Sequence, residues 1–152
     1  MKSISKLLST LFYIGYLPRF HASIASIIGF SVYQFLFERT GNLTYLFLLY
    51  FIPLLIGLIA VYYFIQTSDS SHDPKEVVLD EFFAAALIPF FLSSYLLGGI
   101  VALFLFRVID ITKPGFLKKI DGMNSWIAIF LDDFAAVGIA IFIIKSVQLL
   151  FS

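Results

Sequence analysis

The sequence predicts an all-α fold, a polytopic membrane helical bundle with an interfacial or re-entrant helix hairpin. Hydrophobic residues make up 61% of the 152 and charged residues 13%, against about a quarter charged in soluble domains. Mean hydropathy is +0.99, and apolar runs of helix length alternate with short polar turns. No self-similarity at a spacing of about 20–50 residues is visible, which argues against an internally repeated transporter and for a single domain over residues 1–152. Ten Lys and Arg balance ten Asp and Glu, so nothing basic is left over to hold a nucleic-acid backbone. The chain has no Cys, which excludes disulfides, zinc–thiolate sites and cysteine nucleophiles.

The elements follow in order. Met1 to Thr10 carries Lys2 and Lys6 ahead of an apolar stretch. It is broken at Gly15-Tyr16-Leu17-Pro18-Arg19 and lacks a small-residue cleavage site, so it reads as an interfacial helix rather than a signal peptide. Ala22 to Phe37 is an apolar helix ended by Glu38-Arg39-Thr40-Gly41-Asn42, which is turn chemistry. Thr44 to Ile65 has no charge, with Tyr45 at one end and Tyr62 and Tyr63 at the other, where aromatic belts belong. It should cross fully. The polar connector Gln66 to Lys75 contains His72, read as a loop residue, and ends in Asp73 as N-cap, Pro74 at the first helical position and Glu76 at the third. A helix is therefore expected from Pro74.

Phe82 to Leu97 is 16 residues, roughly 24 Å of helix, short of a roughly 30 Å hydrocarbon core. Gly98-Gly99 would supply a turn and Ile100 onward a returning helix, although one long tilted helix also fits the residue count. Trp126 to Phe151 is long enough to cross, can be capped by Ser125, and contains Asp132-Asp133 about two turns in. His21 reads as interfacial.

The carboxylates gather where the apolar segments begin or are interrupted. Asp73, Glu76 and Asp80 stand at i, i+3 and i+7, with Glu81 next, so one helical face would carry mutually repelling charges. Arg107, Asp110 and Lys113 stand at i, i+3 and i+6 before Pro114. Asp132 and Asp133 are ionisable residues inside an apolar helix, pointing about 100° apart. A hairpin over 82–106 would bring the first two clusters to one level. Several hard carboxylate oxygens with no Cys and no His pair select Mg²⁺, or Mn²⁺, over zinc or copper. Arg and Lys nearby suit a phosphate. Together these residues point to phosphoryl chemistry at a membrane surface.

Asp73-Pro74-Lys75-Glu76-Val77-Val78-Leu79-Asp80-Glu81 resembles the D-P-x-E-V/I-V-I/L-D-E signature of the phosphatidylglycerophosphatase A family. Phe106-Arg107-Val108-Ile109-Asp110-Ile111-Thr112-Lys113-Pro114 is similar to its F-R-x-x-D-x-x-K-P segment, and Ile129-Phe130-Leu131-Asp132-Asp133-Phe134-Ala135-Ala136 to its I/V-M-x-D-D-x-x-A segment. These motifs cover residues 73 to about 140. The resemblance implies an Mg²⁺-dependent lipid phosphatase acting on an anionic phospholipid, phosphatidylglycerophosphate, to give phosphatidylglycerol. It implies Asp80, Glu81, Asp110, Asp132 and Asp133 as catalytic residues, all but Asp110 also as metal ligands. Asp73 and Glu76 would support them, and Arg107 and Lys113 would contact phosphate. A bacterial inner membrane, with the site at its cytoplasmic face, is the expected home.

The N-terminal third departs from the family's G-x-x-P-x-A-P-G-T-x-G-S pattern. Gly15, Pro18 and Ser26 match, but the A-P-G turn is Phe20-His21-Ala22. If that loop lines the headgroup pocket, substrate choice changes while the carboxylate chemistry does not. The competing readings are a catalytically silent or altered-specificity lipid-binding member, and a small carboxylate-based transporter. Asp121-Gly122 begins like a CDP-alcohol phosphotransferase motif, but Ser125-Trp126 stand where that motif needs Ala-Arg.

Overall fold

The structure, a computed structural model, describes residues 2–67, 75–92, 95–123 and 125–151, with Asp121 and Phe151 described by backbone alone. Asp73, Pro74 and His72 lie outside the described residues, and with them the expected cap. Among the described residues every regular element is helical: α1 (Lys2–Ser9), a short 3-10 turn (Ile14–Tyr16), α2 (His21–Thr40), α3 (Leu43–Thr67), α4 (Leu79–Ala86), α5 (Ile88–Leu92), α6 (Leu96–Thr112), α7 (Leu117–Asp121) and α8 (Trp126–Phe151).

Two helices are long and apolar enough to cross a membrane, α3 and α8. Only 33% of the apolar window of α3 and 50% of that of α8 is buried. A soluble core helix would be mostly buried, whereas α3 exposes Phe47, Phe51, Leu55 and Ile59 along its length; a continuous apolar face of that size suits lipid. Pro53 sits inside α3. It has no N–H, so the carbonyl of Leu49 loses its helical donor. The Tyr33 hydroxyl of α2 donates to that carbonyl at 2.8 Å, which satisfies the orphan and ties α2 to α3. Likewise the Tyr50 hydroxyl donates to the Phe83 carbonyl at 3.0 Å and ties α3 to α4.

The second half of the bundle is built on a close backbone approach. A Cβ on Gly29 of α2 would lie 2.1 Å from the Phe82 carbonyl oxygen of α4, so only glycine permits these two helices to meet. Around that contact, Phe30, Ala84, Ala85, Ile88, Ala102, Phe106, Val137 and Ala140 form one buried cluster joining α2, α4, α5, α6 and α8.

The chain does turn back within this region, as a hairpin requires. The α4–α5 leg descends and α6 returns, so that Glu81 of α4 and Asp110 near the end of α6 line one cavity. The turn is displaced from its expected place: α5 ends at Leu92 and α6 begins at Leu96. Gly98 and Gly99 are buried in the first turns of α6, where they make room for the rings of Tyr95 and Phe30 rather than reversing the chain. The descending leg is broken at Leu87, two residues before Pro89.

One further expectation is corrected. The helix expected from Pro74 begins at Leu79. Residues 75–78 are held as a strap because Val78 N–H donates to the Ser9 carbonyl at 3.2 Å and Glu76 lies against Gly15, whose Cβ would fall 1.9 Å from the Glu76 carbonyl oxygen. Long-range pairing with the end of α1 therefore overrides the local capping signal. The N-terminal helix α1 packs on α3, with Ser5 and Ser9 buried.

Candidate active site

Because consecutive helices alternate in direction, the start of α2, the start of α4, the end of α6 and the start of α8 converge on one end of the bundle. A cavity of about 370 Å³ opens there, lined by Asp80, Glu81, Asp110, Asp132 and Asp133. Asp80 and Glu81 occupy the first turn of α4. Lys113 ends α6 in a left-handed conformation, φ 42°, just before Pro114, which stops the helix, and its ammonium reaches Asp132 of α8. On α8, Ser125 Oγ accepts a 3.3 Å hydrogen bond from Ile127 N–H, the cap expected from the sequence, and sets the register that carries Asp132 and Asp133 inward.

The carboxylates form two overlapping groups, Asp80–Glu81–Asp133 and Asp110–Asp132–Asp133, each with ligand oxygens within 4.8 Å of one another. Asp133 belongs to both. Although adjacent residues point about 100° apart, both aspartates reach the Asp110 group. The groups differ in their cations. Asp110 forms an ion pair with Arg107 Nη1 at 2.9 Å, and Asp132 accepts a hydrogen bond from Lys113 Nζ at 2.6 Å. In the first group, Asp80 Oδ1, Glu81 Oε2 and Asp133 Oδ2 are buried with no hydrogen-bond partner among the described residues, and Asp80 and Asp133 are only 6% and 3% exposed. Buried carboxylate oxygens left this way cost several kcal/mol each, about what a bound ion would recover. Burial pushes the Asp80 carboxyl well above its ordinary range, with repulsion from Glu81 and Asp133 adding to it. Burial also raises Glu81, against the lowering pull of its hydrogen bond to Asp80 and of the Arg107 charge. Both shifts are those of carboxylates brought together for a cation, and the all-oxygen donor set fits Mg²⁺ or Mn²⁺.

Other expected members fall elsewhere. Glu76 lies in the turn before α4, outside both groups and outside the cavity lining, because the strap replaces the helical turn that would have put it on the Asp80 face. Arg107 does not line the cavity either; its guanidinium stands behind Asp110. Lys113, the other cation expected at the phosphate, does line the cavity. Sequence reading missed His21 and Lys75 as lining residues. His21 reaches the cavity because Phe20, at φ 61°, enters α2 in a left-handed conformation. The available signal was that His21 occupies the altered turn.

The family model for phosphatidylglycerophosphatase A matches residues 7–148. No curated protein and no solved structure matches the chain. The match spans nearly the whole chain, including all the helices that build the cavity, and this chain therefore belongs to the phosphatidylglycerophosphatase A family.

Proposed function

We propose that the protein is an Mg²⁺-dependent phosphatidylglycerophosphatase that hydrolyses the terminal phosphomonoester of phosphatidylglycerophosphate to phosphatidylglycerol and phosphate. The observation that carries this reading is the set of buried, unpartnered carboxylate oxygens on α4 and α8, facing a cavity that Lys113 also lines. Asp80, Glu81 and Asp133 would hold the ion, with Mn²⁺ as the alternative metal. Bound there, Mg²⁺ supplies neutralisation of the carboxylates and polarisation of the phosphoryl oxygens. Lys113 places a positive charge beside the phosphate, and its ion pair with Asp132 fixes where that charge sits. Arg107, 2.9 Å from Asp110, holds that carboxylate in its orientation. In the hydrolysis a water oxygen bonds to phosphorus while the bond from phosphorus to the glycerol oxygen breaks. One proton of the water passes to a carboxylate of the cluster and from there to the departing glycerol oxygen, which leaves as a hydroxyl, while the other proton stays on the released phosphate.

The same end of the bundle carries Arg19, Lys75, Lys113, Lys118 and Lys119, with Lys2 and Lys6 on α1, while Arg39 ends α2 and Lys145 lies toward the end of α8 on the other side. That asymmetry supports a cytoplasmic placement of the site in a bacterial inner membrane. Phosphate release from phosphatidylglycerophosphate by the detergent-solubilised protein tests the reading. Release should require Mg²⁺ and be lost in Asp80→Asn; release that survives EDTA or Asp80→Asn would refute it.

A further inference from the structure

The reaction above leaves two lining side chains of the cavity without a task, His21 and Lys75. The Nδ1 of His21 lies 3.2 Å from the carbonyl oxygen of Leu17. A carbonyl can only accept, so Nδ1 carries a proton and Nε2 is the atom offered to a bound molecule. His21 is also the first residue of α2, a helix of 20 residues, and the first hydrogen bond of that helix is Ile24 N–H to the Phe20 carbonyl. The amides before Ile24 thus have no acceptor within the helix, and they share the positive end of its dipole. The imidazole, the ammonium of Lys75 and this helix end bring hydrogen-bond donors to a cavity whose other charged residues, Lys113 aside, are acidic. A phosphomonoester at the carboxylates is served by the metal and Lys113, so these donors suit a second anionic group of the same molecule.

We infer that His21 and Lys75 bind the internal phosphodiester of the lipid headgroup, and so select lipids that carry both a terminal monoester and an internal diester over lipids whose only phosphate is the monoester. The inference rests on the proposed phosphatase reading for the identity of the reacting end, but not for the binding. A cavity of about 370 Å³ is within the range of sites that enclose small polar ligands whole. With both ring nitrogens carrying hydrogen, Nε2–H donates to an anion while Nδ1–H keeps the Leu17 carbonyl. Neither position is fixed by the family's pattern, which has Pro in place of His21 and any residue in place of Lys75.

The test compares kcat/KM for phosphatidylglycerophosphate with that for phosphatidic acid, which has a monoester and no diester. The ratio of the two should fall about tenfold in His21→Ala and in Lys75→Ala, through KM more than kcat, as expected for loss of a charge-assisted contact. His21→Lys should restore most of it, which a merely structural role would not allow. In parallel, glycerophosphoglycerol, a soluble diester without a monoester, is titrated against the protein by calorimetry, and both alanine variants should bind it about tenfold more weakly. A ratio unchanged within twofold, or a wild-type protein that does not bind the diester, overturns the inference. Wild-type protein that releases phosphate from neither lipid would sink the phosphatase reading alone, and the diester titration would still decide this one.

Discussion

Asp132 and Asp133 are neighbours in sequence, are nearly equally buried and line the same cavity, yet replacing each with Asn should move the stability of the metal-free protein in opposite directions. Five carboxylates face two cations in the cluster, Arg107 and Lys113, so three negative charges are uncompensated when all are ionised. Asp133 shares in both groups and holds no cation. An ionised neighbour at the 4.8 Å limit of the group repels it by about 3.5 kcal/mol at an effective dielectric constant of about 20. Protonation within the cluster already relieves part of this repulsion. Asp133→Asn should therefore stabilise the protein in EDTA by about 1–2 kcal/mol. Asp132→Asn removes the carboxylate charge 2.6 Å from Lys113 Nζ. Breaking a fully buried pair costs about 3–5 kcal/mol, but the Lys113 side chain is 27% exposed, and solvent reduces the loss to about 1–2 kcal/mol. Thermal unfolding of both variants in detergent with EDTA, followed by circular dichroism, reads the signs directly. Calorimetric Mg²⁺ titration should then show about a hundredfold weaker binding for Asp133→Asn and a smaller loss for Asp132→Asn. Asp133→Asn melting below wild type in EDTA would refute the assignment of Asp133 as the charge that awaits a cation.

Further outcomes follow from the same geometry. Asp80 and Glu81 titrate above their ordinary range in the folded protein, so the folded state binds more protons than the unfolded one; metal-free stability should fall as pH rises above about 4, and saturating Mg²⁺ should flatten that decline in a series of melts. Tyr33→Phe should cost about 1–3 kcal/mol by leaving the Leu49 carbonyl without a donor. In a Pro53→Ala background, where residue 53 regains an N–H for that carbonyl, the same change should cost much less, and equal costs in the two backgrounds would show that the hydroxyl does not replace the missing bond. Gly29→Ala should cost about 1–3 kcal/mol and lower activity together with the melting temperature, because separating α2 from α4 moves Asp80.

Much of the site was legible because ionisable residues interrupt apolar runs, and lipid-facing helices give such residues nowhere to go but inward. Asp80, Glu81, Asp110, Asp132 and Asp133 stood out for that reason, and the short span of 82–97 pointed to the return of the chain. What misled were local signals overruled by distant partners. Pro74 and Glu76 look like a helix start, but the pairing of Val78 with Ser9 and the space left at Gly15 keep residues 75–78 out of the helix. Gly98-Gly99 looks like a turn, but the missing side chains serve packing against Tyr95 and Phe30. His21 read as interfacial, in a turn that could line the headgroup pocket; that it does reach the cavity depends on the left-handed entry at Phe20, which sequence periodicity does not encode.

The α4–α5 leg also bears on how the protein is made. A nascent segment enters the bilayer on its own only if partition of its side chains favours lipid, and α3 and α8 meet that condition. The α4–α5 leg begins with Asp80 and Glu81 and is broken near Pro89, so its freed backbone groups need surrounding protein. Its neighbours α2 and α3 are synthesised before it, but α6 and α8, which complete its packing and bring Asp110 and Asp133, are synthesised after it. The leg must therefore settle into place after the ribosome has passed residue 126, and the cation-binding cluster is completed only when synthesis of the last helix allows it.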